Sequence, residues 1–198
     1  MADFSVPYGD RQLSFSLPPV FTTDYLVPEI GEILANPEEE IRKALEKPLG
    51  NTRRRTKMDI QSIGVVINDK TRPVPDPNPL NILLEHLAEN GFSKDQITLF
   101  IGSGTHTPMQ ESELTCLMPQ EALGQYRVVV HDCDQSPLAE IGFTPHGTPI
   151  RINEAFMQCD LKITVGNIEP HHFMGFSGGV KTAVIGLGGR EMINTNHA

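Results

Sequence analysis

The stretch EPHHFMGFSGGVKTAVIGLGGREMINTNHA gathers Glu169, His171, Ser177, Lys181 and His197 around the glycine pair Gly178 and Gly179. These side chains offer an acid, a base, a nucleophile and a metal ligand, and each costs free energy to bury unless a polar or ionic group receives it. A binding or catalytic site is the simplest account of such a segment. Two other loops carry comparable groups. DKTRPVP displays the carboxylate of Asp69 and the guanidinium of Arg72 on a loop stiffened by Pro73 and Pro75. Arg72 can grip a carboxylate bidentately, and Asp69 can accept from ribose hydroxyls or position Arg72. A local turn with a surface ion pair accounts for the same spacing. GSGTH sets Gly102 and Gly104 ahead of His106, so that an imidazole can project from a tight turn as a general base. An isolated loop histidine is more often merely exposed.

In EPHHF two histidines are adjacent, and neighbours in an extended segment point to opposite sides. One of them faces the site; we assign His171, with His172 behind it. No HExxH helix is present to set two zinc ligands on one face, which disfavours a zinc hydrolase built on His171, His172 and His197. Ser177, Gly178 and Gly179 precede a helix predicted to begin near Val180, where N–H groups and the helix dipole favour a phosphate. The spacing is not that of a Walker loop, and the GLGG at Gly186 to Gly189 has no strand leading into it as a dinucleotide fingerprint requires. Close packing is the alternative use of either glycine group. Lys181 falls in the first turn of that helix, at the end of the dipole unfavourable to a cation, and crowding of this kind lowers an amine's pKa and makes it nucleophilic. His197, beyond Asn194 and Asn196, is a candidate metal ligand or a plain loop residue.

These loops need a frame. A chain of 198 residues can bury one sizeable core, and one domain is expected. Residues 1–50 read as an entry segment with a short strand at Leu13 to Leu17 and a glutamate-rich helix at Pro37 to Glu46. Beyond it, β-branched apolar runs alternate with helical patterns. The strands predicted are Ile63 to Ile67, Ile97 to Ile101, Arg127 to Val130 and Leu161 to Val165. Helices are expected at Leu80 to Asn90, where Leu80, Leu83, Leu84 and Leu87 share a face and Gly91 supplies the stop, around Gln110 to Leu117, and around Ile152 to Gln158. The pattern is that of an α/β fold, a Rossmann-like, mostly parallel sheet with helices on both faces. DKTRP, GSGTH and GNIEPHH then all follow the carboxyl ends of strands, the edge at which open parallel sheets bind ligands.

A net charge of -9 makes association with nucleic acid or an anionic membrane unfavourable, so neither is an expected partner. The basic run Arg53, Arg54, Arg55 and Lys57 reads as a solvated loop. Cys116, Cys133 and Cys159 are odd in number and lack a CxxC pair, as expected of reduced thiols. Without a signal-like amino terminus or a long apolar run, a soluble, cytoplasmic protein is expected.

Taken together, DKTRP, GTHTPM, EPHHFMGFSGGVK and the terminal NHA resemble the amino-terminal domain of the lactate racemase family, the nickel-pincer 2-hydroxyacid racemases and epimerases. The likeness runs from about Asp69 to His197 in the family's order. It implies a pyridinium-3,5-bisthiocarboxylic acid mononucleotide joined to Lys181 through a thioamide and carrying nickel, with His197 as a nickel ligand. Asp69, Ser177, Gly178 and Gly179 would hold the nucleotide, Arg72 the substrate carboxylate, and His106 and His171 would act as proton-exchanging bases. The family's mechanism is reversible hydride transfer. Implied partners are a small 2-hydroxyacid, cofactor maturation enzymes and the family's carboxy-terminal domain, which lies outside this sequence. The competing expectation is a non-catalytic phosphate- or nucleotide-binding module.

Overall fold

The computed structural model describes residues 2–198 apart from 25, 28, 30, 51–58, 77, 119 and 172–174. The basic run at Arg53 to Lys57 and His172 therefore lie outside the described residues. The chain divides into two units, Met1–Ala35 and Asn36–Ala198. In the first, β1 (Ala2–Tyr8) and β2 (Arg11–Leu17) form an antiparallel hairpin with Val6 opposite Leu13 and Phe4 opposite Phe15. The latter rings stack at 5.6 Å, a cross-strand pair of the kind that stabilises hairpins. Gly9, at φ +58, makes the turn.

The second unit opens with α1 (Pro37–Glu46), as predicted. Asn36 caps it by accepting from the Glu39 N–H at 3.3 Å, Pro37 supplies a preset φ, and glutamates fill the first turn. The sheet that follows contains β3 (Ile63–Asn68), β4 (Ile97–Gly102) and β5 (Arg127–Val130). After the antiparallel pair β6 (Leu138–Phe143) and β7 (Pro149–Asn153), β8 (Leu161–Val165) completes it. All four of its strands are parallel, in the order β5, β4, β3, β8. Helices and turns occupy both faces. From the central β3 the chain steps outward to β4 and β5 and then returns to the opposite side for β8. The reversal of direction lies between β3 and β8, the place where such sheets open a crevice at their carboxyl edge.

Side-chain alternation divides the core in two. Val65, Ile67, Leu99 and Ile101 meet Leu80, Leu83, Leu84 and Leu87 of α2 (Pro79–Glu89), whose cap is Asn78. On the other face Val66 and Phe100 meet Phe156 of α4 (Glu154–Gln158), together with Leu187 and Met192. Between these two helices comes the short α3 (Gln120–Leu123). Phe100 and Phe156 pack edge to face at 5.3 Å. Gly64 leaves room for that ring, since a Cβ there would lie 2.9 Å from Phe156 Cδ2.

Three expectations change. The segment predicted as a helix at Gln110 to Leu117 is a 3-10 helix, Glu111–Cys116, closed by i to i+3 bonds such as Leu117 N–H to Leu114 O at 3.0 Å. It is too short to gain from α-helical propagation. Ile152 belongs to β7, because Asn153 caps α4 by accepting from the Phe156 N–H at 3.2 Å. The hairpin strands β1, β6 and β7 add to the predicted elements. Cys133 and Cys159 are buried, Cys116 is exposed, and all three are unbridged. No helix among the described residues is long and apolar enough to cross a membrane.

Candidate active site

Beyond the carboxyl ends of β3, β4 and β8 the chain closes a cleft of about 250 Å³. Its floor is a close approach of two backbones. Gly102, at the end of β4, faces Gly186, which follows α5 (Val180–Val184); a Cβ at Gly102 would lie 3.2 Å from Gly186 Cα, and one at Gly186 only 2.1 Å from Thr182 O. The GLGG motif thus serves packing, the alternative use considered for it.

Asp69, Arg72, His106, His171, Ser177, Gly178, Lys181 and His197 all line this cleft, whereas Gly179 does not. Asp69 is 4% exposed. Its Oδ1 accepts from the Thr71 N–H at 3.0 Å and the Thr71 hydroxyl at 2.5 Å, and its Oδ2 lies 2.7 Å from His106 Nδ1. Its carboxylate is therefore directed at His106 and Thr71 and not at Arg72. The Arg72 guanidinium has Nε 3.7 Å from Glu169 Oε2 and donates to Thr71 O at 3.3 Å.

His171 sits in β9 (Pro170–His171), paired with β10 (Gly175–Phe176). His197 ends α6 (Arg190–His197), so it is a helix residue and not part of a loop. Its Nδ1 donates to Ile193 O at 2.9 Å, and its ring stands edge to face with His171, centroids 6.2 Å apart. The start of α6 is held by buried His131. Burial keeps that imidazole below its usual pKa range; Nε2 donates to Gly188 O at 3.0 Å, and Nδ1 accepts from Asn153 Nδ2 at 3.3 Å.

Ser177 holds its own loop together. Its hydroxyl donates to Asn167 O at 2.8 Å and accepts from the Glu169 N–H at 3.0 Å. Gly178 adopts φ +77 beside Asn167 O, where a Cβ would approach to 2.5 Å. Lys181, one residue into α5, has its pKa pushed down, first by burial and then by the nearby Arg72 guanidinium.

Two features escaped sequence reasoning. A hydrogen-bonded ladder runs from Thr182 Oγ1 to Asn68 Oδ1 (3.2 Å), from Asn68 Nδ2 to Asn167 Oδ1 (3.4 Å) and from Asn167 Nδ2 to Pro73 O (3.0 Å). It ties α5, which carries Lys181, to the loop that carries Arg72. The signal for it was the polar Asn68 closing an otherwise apolar parallel strand. The second is Ser103, 2% exposed in the cleft wall, whose hydroxyl has no partner among the described residues. An unsatisfied buried hydroxyl costs about 1–3 kcal/mol, a cost that a polar ligand in the cleft would relieve.

The profile of the lactate racemase N-terminal domain matches residues 8–198. A lactate racemase of Thermoanaerobacterium thermosaccharolyticum is 32% identical over the whole chain and 47% of its own length. One of Lactiplantibacillus plantarum is 31% identical over 81% of the chain and 38% of its own length. The structure of the Thermoanaerobacterium lactate racemase apoprotein superposes with a TM-score of 0.79 at 30% identity, over 97% of this chain and 45% of that one. A Thermotoga maritima protein of solved structure gives a TM-score of 0.61 at 26% identity, over 81% of this chain and 39% of that one. The chain spans less than half the length of the relatives it matches.

Proposed function

The chain belongs to the lactate racemase N-terminal domain family, and from that premise we propose that it is the cofactor-bearing part of a 2-hydroxyacid racemase or epimerase that uses a lysine-tethered nickel-pincer nucleotide. The observation that carries the reading is the convergence of Arg72, His106, His171, Lys181 and His197, from five separate segments, on one cleft. The residues suit the implied group: the enclosed Ser103 hydroxyl awaits a polar atom, Arg72 supplies positive charge within an acidic chain, and Lys181 supplies an amine whose pKa is pushed down.

When bound, the pincer nucleotide supplies an acceptor that takes the substrate's weakly acidic α-hydrogen as hydride, which an imidazole could not remove as a proton. Lys181 is the tether; burial and Arg72 leave more of its amine neutral and nucleophilic near pH 7 than in a solvated lysine. With its Nδ1 engaged by Ile193 O, His197 would ligate nickel through Nε2, the backbone bond fixing the ring as such bonds do for metal-bound histidines. The Ser177 hydroxyl is committed to its own loop, so the backbone of Gly178 is what that loop offers the nucleotide, with Asp69 facing the same cleft. Arg72 takes the substrate carboxylate bidentately. His106 and His171 handle the hydroxyl proton: one imidazole removes it from one enantiomer, and the other returns a proton to the alkoxide of the opposite hand.

The test is intact-mass and nickel analysis of the full-length protein coexpressed with cofactor maturation enzymes. One adduct and one nickel are expected, Lys181→Ala losing both and His197→Ala keeping the adduct while losing nickel. Protein that acquires neither adduct nor nickel would return the reading to a binding module without this chemistry.

A further inference from the structure

We propose that Asp69 is the positioning residue of His106, fixing its tautomer so that an unprotonated Nε2 is presented to the substrate hydroxyl. The inference rests on the reading of His106 as a proton-exchanging base and moves Asp69 from the nucleotide to the imidazole. The two residues follow neighbouring strands whose ends are in register, Asn68 of β3 opposite Gly102 of β4, so their loops rise side by side. The Asp69 side chain is 5% exposed and the His106 side chain 50%: a buried anchor and a ring open on one side.

Both oxygens of Asp69 are committed. Oδ1 accepts from the Thr71 N–H and the Thr71 hydroxyl, and Oδ2 faces His106 Nδ1 at 2.7 Å. A carboxylate can only accept, so a neutral His106 must carry its proton on Nδ1, and its lone pair is then on Nε2. The backbone holds the other end of the arrangement. The His106 N–H donates to Ser103 O at 3.0 Å, and the Gly104 N–H donates to Gly186 O at 2.9 Å. With both the loop and Nδ1 fixed, the ring has little freedom left to choose another heading. His171 is placed differently, edge to face with His197, so a change at Asp69 acts on one imidazole of the two.

Thr71 makes the test sharp. In Asp69→Asn the two Thr71 donors require the amide oxygen at the Oδ1 position, which turns the amide NH₂ toward His106. That group donates, so Nδ1 must accept and the proton moves to Nε2. Nitrogen-15 NMR of the full-length, histidine-labelled protein, with the His106 signals assigned by their loss in His106→Gln, reads the tautomer directly. The expectation is Nδ1–H in the wild type and Nε2–H in Asp69→Asn. In cofactor-loaded enzyme, kcat should fall about 10²- to 10⁴-fold, the range for loss of a positioned general base, while KM, nickel and the Lys181 adduct change little.

A wild-type spectrum showing Nε2–H overturns the inference without recourse to any variant. So does Asp69→Asn that keeps both Nδ1–H and kcat, or one that loses the adduct with the tautomer unchanged, which would make Asp69 a nucleotide ligand. Failure of the underlying reading looks different: His106→Gln would then racemise normally.

Discussion

At the scale of single residues, Lys181 shows how far types and spacing could be read. Its lowered pKa was expected from helix position, and the direction agrees, but the causes are burial and Arg72, the second of which lies more than a hundred positions away. Asp69 shows the opposite case. Its spacing from Arg72 suggested a role beside that arginine or a local turn; the turn is there, with Thr71 on one oxygen, but the other oxygen faces His106, a contact made only by the pairing of β3 with β4. Burial and cross-loop partners are properties of the fold and leave no mark in local spacing. A lysine with a lowered folded value is protonated more readily in the unfolded chain. This group alone therefore makes stability rise with pH from its folded value up to its ordinary 10.5. The same displacement governs reactivity. With limiting amine reagent near pH 8, Lys181 should be acylated ahead of Lys43 and Lys70, whose carboxylate partners push their pKa values up. Arg72→Gln should slow Lys181 by removing one of its two causes. Peptide mapping decides it, and labelling of all three at one rate would refute the assignment.

At the scale of elements, the central strands β3 and β4 were legible because burial on both faces writes itself as continuous apolar runs, the edge strands β5 and β8 because they too are rich in β-branched residues, and α2 because its leucines repeat at helical spacing. The hairpins were not. β6 is largely solvent-facing, so its hydrophobic pattern is weak; β7 is more buried, but Arg151 interrupts its short apolar run; and β1 was hidden in a terminus that reads as irregular. The 3-10 helix at Glu111–Cys116 repeats leucine at Leu114 and Leu117, a spacing that cannot separate one helix type from the other over so few residues. The floor of the cleft was readable only as glycines of uncertain purpose. Their purpose is contact between the end of β4 and the end of α5, and it gives a stability prediction. Gly186→Ala sets a methyl 3.1 Å from Gly102 Cα across that contact and 2.1 Å from Thr182 O in the helix that carries Lys181. Overpacking of this kind costs roughly 1–3 kcal/mol. Denaturant unfolding should show that loss with the slope unchanged. Gly124→Ala, where nothing lies within 4 Å of the added Cβ, should show a much smaller change. Equal stability of Gly186→Ala and the wild type would mean that the two backbones are not held together.

At the scale of the whole chain, a sequence of net charge -9 carries a cleft that presents Arg72, so an anionic ligand meets opposing effects at different ranges. The diffuse negative charge acts over a Debye length, about 30 Å at 0.01 M salt and about 8 Å at 0.15 M. The contact with Arg72, whose side chain is 30% exposed, acts over a few ångströms and is screened less. Salt should remove the long-range repulsion before it weakens the short-range pair. Under the function proposed above, affinity for a small 2-hydroxyacid is accordingly expected to rise slightly, by less than about threefold, between 0.01 and 0.15 M salt. Arg72→Gln should weaken binding about 10- to 100-fold, the range for loss of a charge-assisted bidentate contact, and should leave the upward salt trend in place. Calorimetric titrations of wild type and variant across that salt range read both. A wild-type affinity that falls steeply with salt would mean that the positive field of the cleft reaches well beyond its mouth, and that ligand is gathered by long-range attraction and not by contact with Arg72.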